Sequence, residues 1–176
     1  MRNIAIYKAT LDNEEIDQLK SVLQAKDDLS KVLEFEEKMV KYIGAKYAIA
    51  TATSTAALHL ALSSMRLKRG DKVLMSVNSF VNLPETVRHF DAEPIFVDIN
   101  LEDMNLDIEE FEETIIANKS KKLRAAIITF IGGLAPNLEK IYEIAKKHNI
   151  LIIEDCRAAL GTTYKGQKVG NLSADM

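Results

Sequence analysis

The residues with the most chemical promise stand directly after short apolar runs. Ala52-Thr53-Ser54-Thr55 places three hydroxyl side chains at the start of a long apolar stretch, 55–65. Amide N–H groups without a partner at a helix start, joined by hydroxyls, suit an anion such as phosphate. Ser and Thr are also ordinary N-caps, and the local pattern leaves both readings open. Glu154-Asp155 closes the last apolar run. Neighbouring strand residues point to opposite faces, so only one of the two carboxylates can serve a given site. A carboxylate at the tip of a buried strand must meet a cation or hydrogen-bond donors, because burying it bare is costly. Phe80 follows the run 73–77, where an aromatic ring either stacks on a flat ligand or completes the core.

Other common site signatures are absent. There is no G-x-G-x-x-G and no G-x-x-x-x-G-K-[ST], and Ile131-Gly132-Gly133 lacks both a third glycine and the spacing. His59, His89 and His148 share no metal-ligand spacing with one another or with Cys156. They read as structural or surface residues, and no metal site is expected.

The elements that must position these residues follow from periodicity. Asn13–Ala25 reads as a mostly polar helix and Ser30–Ile43 as a second one, with Gly44 as its stop. Beyond residue 46 short apolar runs at 47–50, 73–77, 95–99, 125–131 and 150–153 alternate with helical stretches. The stretch 55–65 is apolar nearly all round and is expected to be buried. Helices are also predicted at 84–90, opening with proline, at 107–117 behind an N-cap Asp107, and at Leu138–His148. Runs with little polar alternation suit strands covered on both faces. Strand–helix alternation therefore predicts an α/β fold: three layers, a mostly parallel sheet with helices on both faces. In such sheets ligands bind at the carboxyl ends of the strands, where Ser54, Thr55, Phe80 and Asp155 lie. A small hairpin is predicted at 162–169, turning at Lys165-Gly166.

Composition narrows the function classes. The chain has 176 residues and a formal net charge of −3, against a general binder of nucleic acid or anionic membranes. A lone cysteine excludes an internal disulfide framework and fits a reducing, cytoplasmic compartment. The opening MRNIAIYKAT is too polar for a signal peptide, and no run approaches the about 20 apolar residues of a membrane span.

Taken in order, these segments resemble the DegT/DnrJ/EryC1/StrS family of pyridoxal 5'-phosphate (PLP) enzymes, mostly aminotransferases acting on nucleotide-linked keto-sugars. The resemblance rests on Phe35-Glu36, YIGAKYAIATATSTAALHLAL (42–62), GDKVLMSVNSF (70–80) and EPIFVDIN (93–100), and then on IYEIAKKHNILIIED (141–155) and GTTYKGQKVGNLSAD (161–175). It implies the truncated large domain of an aspartate aminotransferase-like, fold type I transferase. Residues 1–45 would be a helical segment and 46–176 a partial PLP-binding domain, the whole forming one domain.

By position, the resemblance gives Ser54 and Thr55 the cofactor phosphate, Phe80 the face of the pyridine ring, and Asp155 the ring nitrogen. Ala158 stands where the family usually has a cofactor-touching Gln. Arg157 replaces a small or polar residue, and Ala52-Thr53 the usual Asn-Ser. The family's Schiff-base lysine follows the segment matched by 173–176, so it is expected beyond Met176. Lys165 and Lys168 belong to the hairpin and are not nominated. The resemblance implies no catalytic lysine and no independent activity for these residues, an amino donor such as glutamate, a homodimer, and roles in amino-sugar or surface-polysaccharide synthesis. The alternatives are a truncated or degenerate non-catalytic relative and a family dehydratase.

Overall fold

The structure, a computed structural model, describes residues 9, 11–25 and 29–171. The expectations for the opening decapeptide and for 173–176 thus fall almost wholly outside the described residues. Among the described residues no helix is long and apolar enough to cross a membrane.

Four parallel strands carry the fold: β1 (Lys72–Ser76), β2 (Glu93–Val97), β3 (Leu123–Thr129) and β4 (Leu151–Asp155), in the order β2-β1-β3-β4. The chain steps outward from β1 to β2, then back across β1 to β3 and β4. The order therefore reverses between β1 and β3, where doubly wound sheets open their ligand crevice.

Among the described residues there are six α-helices: α1 (Asn13–Ala25), α2 (Ser30–Ile43), α3 (Ser54–Ser64), α4 (Asn82–Arg88), α5 (Ile108–Ala117) and α6 (Leu138–His148), of which α3 and α4 cover one face of the sheet and α5 and α6 the other. Two separate cores follow from strand alternation. Val73, Met75, Ala125, Ile127 and Ile153 pack under α3 and α4 with Leu58, Leu62, Leu83 and Val87. Leu74, Ala126, Ile128 and Ile152 pack under α5 and α6 with Phe111, Ile115, Leu138 and Ile141. Each buried Val, Leu, Ile, Met or Phe side chain among these contributes about 1.5–3 kcal/mol by leaving water.

Local signals set the boundaries. Asp107 caps α5 by accepting from the amides of Glu109 and Glu110. Gly44 ends α2 at φ 83, and its N–H donates to the Val40 carbonyl at 2.9 Å. The predicted hairpin forms as β5 (Thr163–Tyr164) and β6 (Gln167–Lys168), with Lys165 and Gly166 both at positive φ.

Two expectations are corrected. Residues 47–50 form no strand, and Tyr47 and Ile49 are each 75% exposed. An apolar run becomes a strand only when a neighbour pairs with it, and none of the described strands does. The segment is held instead by Glu36, whose Oε1 accepts from the Ala50 amide at 2.7 Å. The 55–65 helix is also not buried all round. Leu58 and Leu62 face the sheet, while Leu60 on the other side is 52% exposed.

Candidate functional site

The parallel arrangement brings the tips of β1, β3 and β4 to one edge. At the tip of β4, alternation sends consecutive carboxylates to opposite faces. Glu154 turns to the α6 side. Its Oε1 accepts from the Tyr142 phenol, and its Oε2 accepts from the Gly170 amide at 2.8 Å and the Cys156 thiol at 3.7 Å. Burial, and then the Glu154 contact, push the Tyr142 phenol well above its ordinary range. The Cys156 thiol is likewise raised, by burial first and the Glu154 charge second.

Asp155 turns to the α3/α4 side, and its side chain is 13% exposed. Its Oδ1 accepts a long bond from the Arg157 amide at 3.4 Å. Its Oδ2 is buried without a hydrogen-bond partner among the described residues. Arg157 Nε lies 3.5 Å from that oxygen, a charge contact without hydrogen-bond geometry. Thr129 stands beside Asp155 in register on β3, and its Oγ1 is also buried and unpartnered. Native proteins rarely leave such atoms unmatched, so two side by side mark a place built for something other than the fold.

Thr53 is the N-cap of α3, and its hydroxyl accepts from the Ala56 amide at 3.1 Å. Capping was one of the two readings open for this turn, and it falls to Thr53. The amides of Ser54 and Thr55, preceding the capped one, belong to the helix end that has no intrahelical acceptor. Ser54 and Thr55 themselves are exposed. A cavity of about 300 Å³ lies between α3, α4 and the β4 tip, with Ser54, Asn82, Asp155 and Arg157 among its lining residues.

Asn82, the first residue of α4, ties the remaining pieces together. Its Nδ2 donates to Thr55 Oγ1 at 3.0 Å, and its Oδ1 accepts from Arg157 Nη1 at 3.0 Å. The Arg157 guanidinium in turn stands over the Phe80 ring, 4.9 Å from its centroid, and Phe80 is 60% exposed. Ser54, Thr55, Phe80 and Asp155 are thus linked within one neighbourhood. Ala158 is not among the residues that line the cavity; it is exposed, with its carbonyl close against Gly133.

Sequence reading passes over Asn82 and Thr129. Thr129 has a faint signal as the one polar residue ending AAIIT. Asn82 has none, since its partners lie 27 and 75 residues away. Among the described residues no His, Cys, Asp and Glu cluster could hold a metal ion.

The site offers a partly buried carboxylate oxygen for a cationic N–H donor, a helix start for an anion, and an aromatic face for a planar group. A parallel doubly wound sheet of this kind is the fold of solved enzymes that carry PLP, a likeness of architecture alone. The chain belongs to the DegT/DnrJ/EryC1/StrS aminotransferase family, whose model matches residues 9–176. It is 35% identical over 141 residues to a GDP-perosamine synthase of Caulobacter vibrioides, covering 80% of this chain and 37% of that one. It is 33% identical over 168 residues to the UDP-4-amino-4,6-dideoxy-N-acetyl-beta-L-altrosamine transaminase of Campylobacter jejuni, covering 93% of this chain and 43% of that one. In fold it matches an E. coli GDP-4-keto-6-deoxy-D-mannose-3-dehydratase with bound hydrated PLP, at a TM-score of 0.88 and 24% identity. That match covers 98% of this chain and 45% of the other. The chain thus spans less than half the length of each of these relatives.

Proposed function

We propose that this chain supplies the first part of the cofactor domain of a PLP-dependent aminotransferase acting on nucleotide-linked keto-sugars. The observation that carries the reading is the buried, unpartnered Oδ2 of Asp155 beside a cavity that Ser54 also lines. That oxygen fits the protonated nitrogen of a pyridine ring, and the start of α3 fits the phosphate at the ring's other end. Bound PLP would supply an electron sink for moving an amino group.

The chain's own residues have separate tasks in this reading. Asp155, ionised, holds a proton on the ring nitrogen and keeps the ring electron-poor. Ser54 and Thr55 anchor the phosphate through amides and hydroxyls, with Asn82 fixing the Thr55 hydroxyl. Phe80 forms one wall of the ring slot. Ala158, in the usual Gln position, supplies no polar group of its own. We assign residues 1–45 as a helical segment ahead of a PLP-binding part at 46–176, together forming one domain. We infer a homodimer at work in the cytoplasm, with an amino donor such as glutamate, in amino-sugar or surface-polysaccharide synthesis. The two relatives named for perosamine and altrosamine chemistry support the substrate class.

The test is amino transfer to a nucleotide-linked keto-sugar by the intact enzyme. Asp155→Ala is expected to cost about a hundredfold or more, the worth of a charge-assisted bond to the ring nitrogen. Asp155→Glu keeps the charge but not the reach, and retains a small part. Unchanged turnover in Asp155→Ala would overturn the reading.

A further inference from the structure

We propose that Arg157 is an internal occupant of the ring slot, a planar cation that stands in for the ligand and must leave Phe80 before a planar cofactor can enter. The inference rests on the cofactor reading above and adds a residue that sets affinity.

Three contacts define the placement. The guanidinium lies over Phe80 at 4.9 Å, its Nη1 donates to Asn82 Oδ1 at 3.0 Å, and its Nε stands 3.5 Å from Asp155 Oδ2. A guanidinium is flat, permanently charged, and stacks readily on aromatic faces. A protonated pyridine is also a flat cation carrying an N–H. Set against Phe80 and Asp155, it would make the same two contacts that Arg157 makes now. Both groups cannot lie against that face of Phe80 at once.

The quality of the contacts says which occupant gives way. Arg157 meets the carboxylate at 3.5 Å and leaves Oδ2 unsatisfied, because the Asn82 bond holds the guanidinium short of it. A ring nitrogen free to approach can close to the roughly 2.7–2.9 Å of a charge-assisted bond. The Arg157 side chain is 28% exposed, so it has solvent to swing into. Displacement still forfeits the Asn82 bond and the stacking on Phe80. Only the fraction of molecules with Arg157 swung away is competent, and apparent affinity falls by that fraction. The network also reaches the other end of the slot, since Asn82 that holds Arg157 also holds the Thr55 hydroxyl.

Pyridoxamine 5'-phosphate is the probe, because an amine cannot condense with a lysine and its binding is wholly non-covalent. Titration calorimetry on the intact apoenzyme compares wild type, Arg157→Ala, Arg157→Lys and Asp155→Ala, with thermal melts to confirm folding. Arg157→Ala is expected to bind about tenfold more tightly than wild type, from the restored competent fraction. Arg157→Lys, which keeps charge but loses the flat fork, should fall between them. In wild type the Arg157 Nε–H resonance should shift on saturation as the guanidinium leaves Phe80. Inorganic phosphate should bind wild type and Arg157→Ala alike. Equal or weaker pyridoxamine phosphate binding by Arg157→Ala, with wild-type binding lost in Asp155→Ala, would overturn the occupant role and leave the cofactor reading standing. Binding by neither wild type nor Arg157→Ala would overturn both.

Discussion

On the α5/α6 face of the sheet, Glu154 is enclosed by donors from a helix, a loop and the residue two places further on: Tyr142, Gly170 and Cys156. On the α3/α4 face Asp155, one residue later on the same strand, keeps an oxygen buried and unmatched. The two carboxylates share strand, depth and charge, and differ in the face they meet. The fold uses up Glu154, whereas it holds Asp155 in readiness. Hydrogen-bond accounting therefore separates a satisfied acid from an unsatisfied one, and the proposed cofactor role falls to the second.

The largest expected effect separates the two by swapping which property fails. Asp155→Ala should lower pyridoxamine phosphate affinity by about tenfold to a hundredfold, the range of a hydrogen bond to a charged group. It should leave the melting temperature unchanged or slightly raised, because a poorly matched buried charge is removed. If Asp155→Ala unfolds the chain while binding in the surviving fraction is intact, the contrast collapses.

A buried carboxylate at the opposite end of the sheet gives a second reference. The Asp71 side chain is 4% exposed and sits just before β1. Its Oδ2 accepts from Arg124 Nη1 at 3.0 Å and the Lys68 amide at 2.9 Å, and Lys122 lies 3.4 Å from its Oδ1. Burial alone would raise its pKa, but the Lys68 amide, Lys122 and Arg124 together hold it below the ordinary range. A depressed carboxylate pKa gives stability that is present above the unfolded value and is lost as pH falls through the folded one. Denaturant melts should therefore show wild type weakening below about pH 4, the free aspartate range. Asp71→Asn should flatten that loss and cost about 2–4 kcal/mol at neutral pH, since it leaves cations facing a neutral group. A wild-type acid profile unaltered by the substitution would contradict the assignment.

Glu154→Ala should do the reverse of Asp155→Ala. It strips the acceptor from Tyr142 and the Gly170 amide, for about 1–3 kcal/mol, a fall of several degrees in Tm. Pyridoxamine phosphate affinity measured below the melt should stay within about twofold, since the Glu154 carboxylate is turned to the face opposite Asp155. The smallest effect is at Cys156. Its raised pKa leaves little thiolate at neutral pH, so alkylation of the folded chain should be far slower than of the denatured chain. Equal rates in the two states would show the Glu154 side to be open.

Much of this arrangement is legible in the residues. The helices Asn13–Ala25, Ser30–Ile43 and Leu138–His148 follow from apolar spacing and end signals, and the strand cores from uninterrupted aliphatic runs. Alternation alone says that Glu154 and Asp155 part company. Two kinds of feature escape a local pattern. Pairing is one: residues 47–50 look like any buried strand, but no described strand pairs with them. Side-chain contact across long separations is the other. Nothing near Arg157 indicates that its guanidinium rests on Phe80 and bonds to Asn82, 75 residues away. The outer face of α3 shows the same limit, because a helix apolar all round does not reveal which side meets the sheet.

In the proposed function, Asp155 holds a proton on a ring nitrogen. The most direct measurement is the ¹⁵N resonance of the pyridine nitrogen in labelled pyridoxamine 5'-phosphate bound to the chain, at a pH where the free ligand's ring is unprotonated. A pyridinium signal is expected in wild type and a neutral pyridine signal in saturated Asp155→Asn. A neutral pyridine signal in the wild-type complex would contradict it.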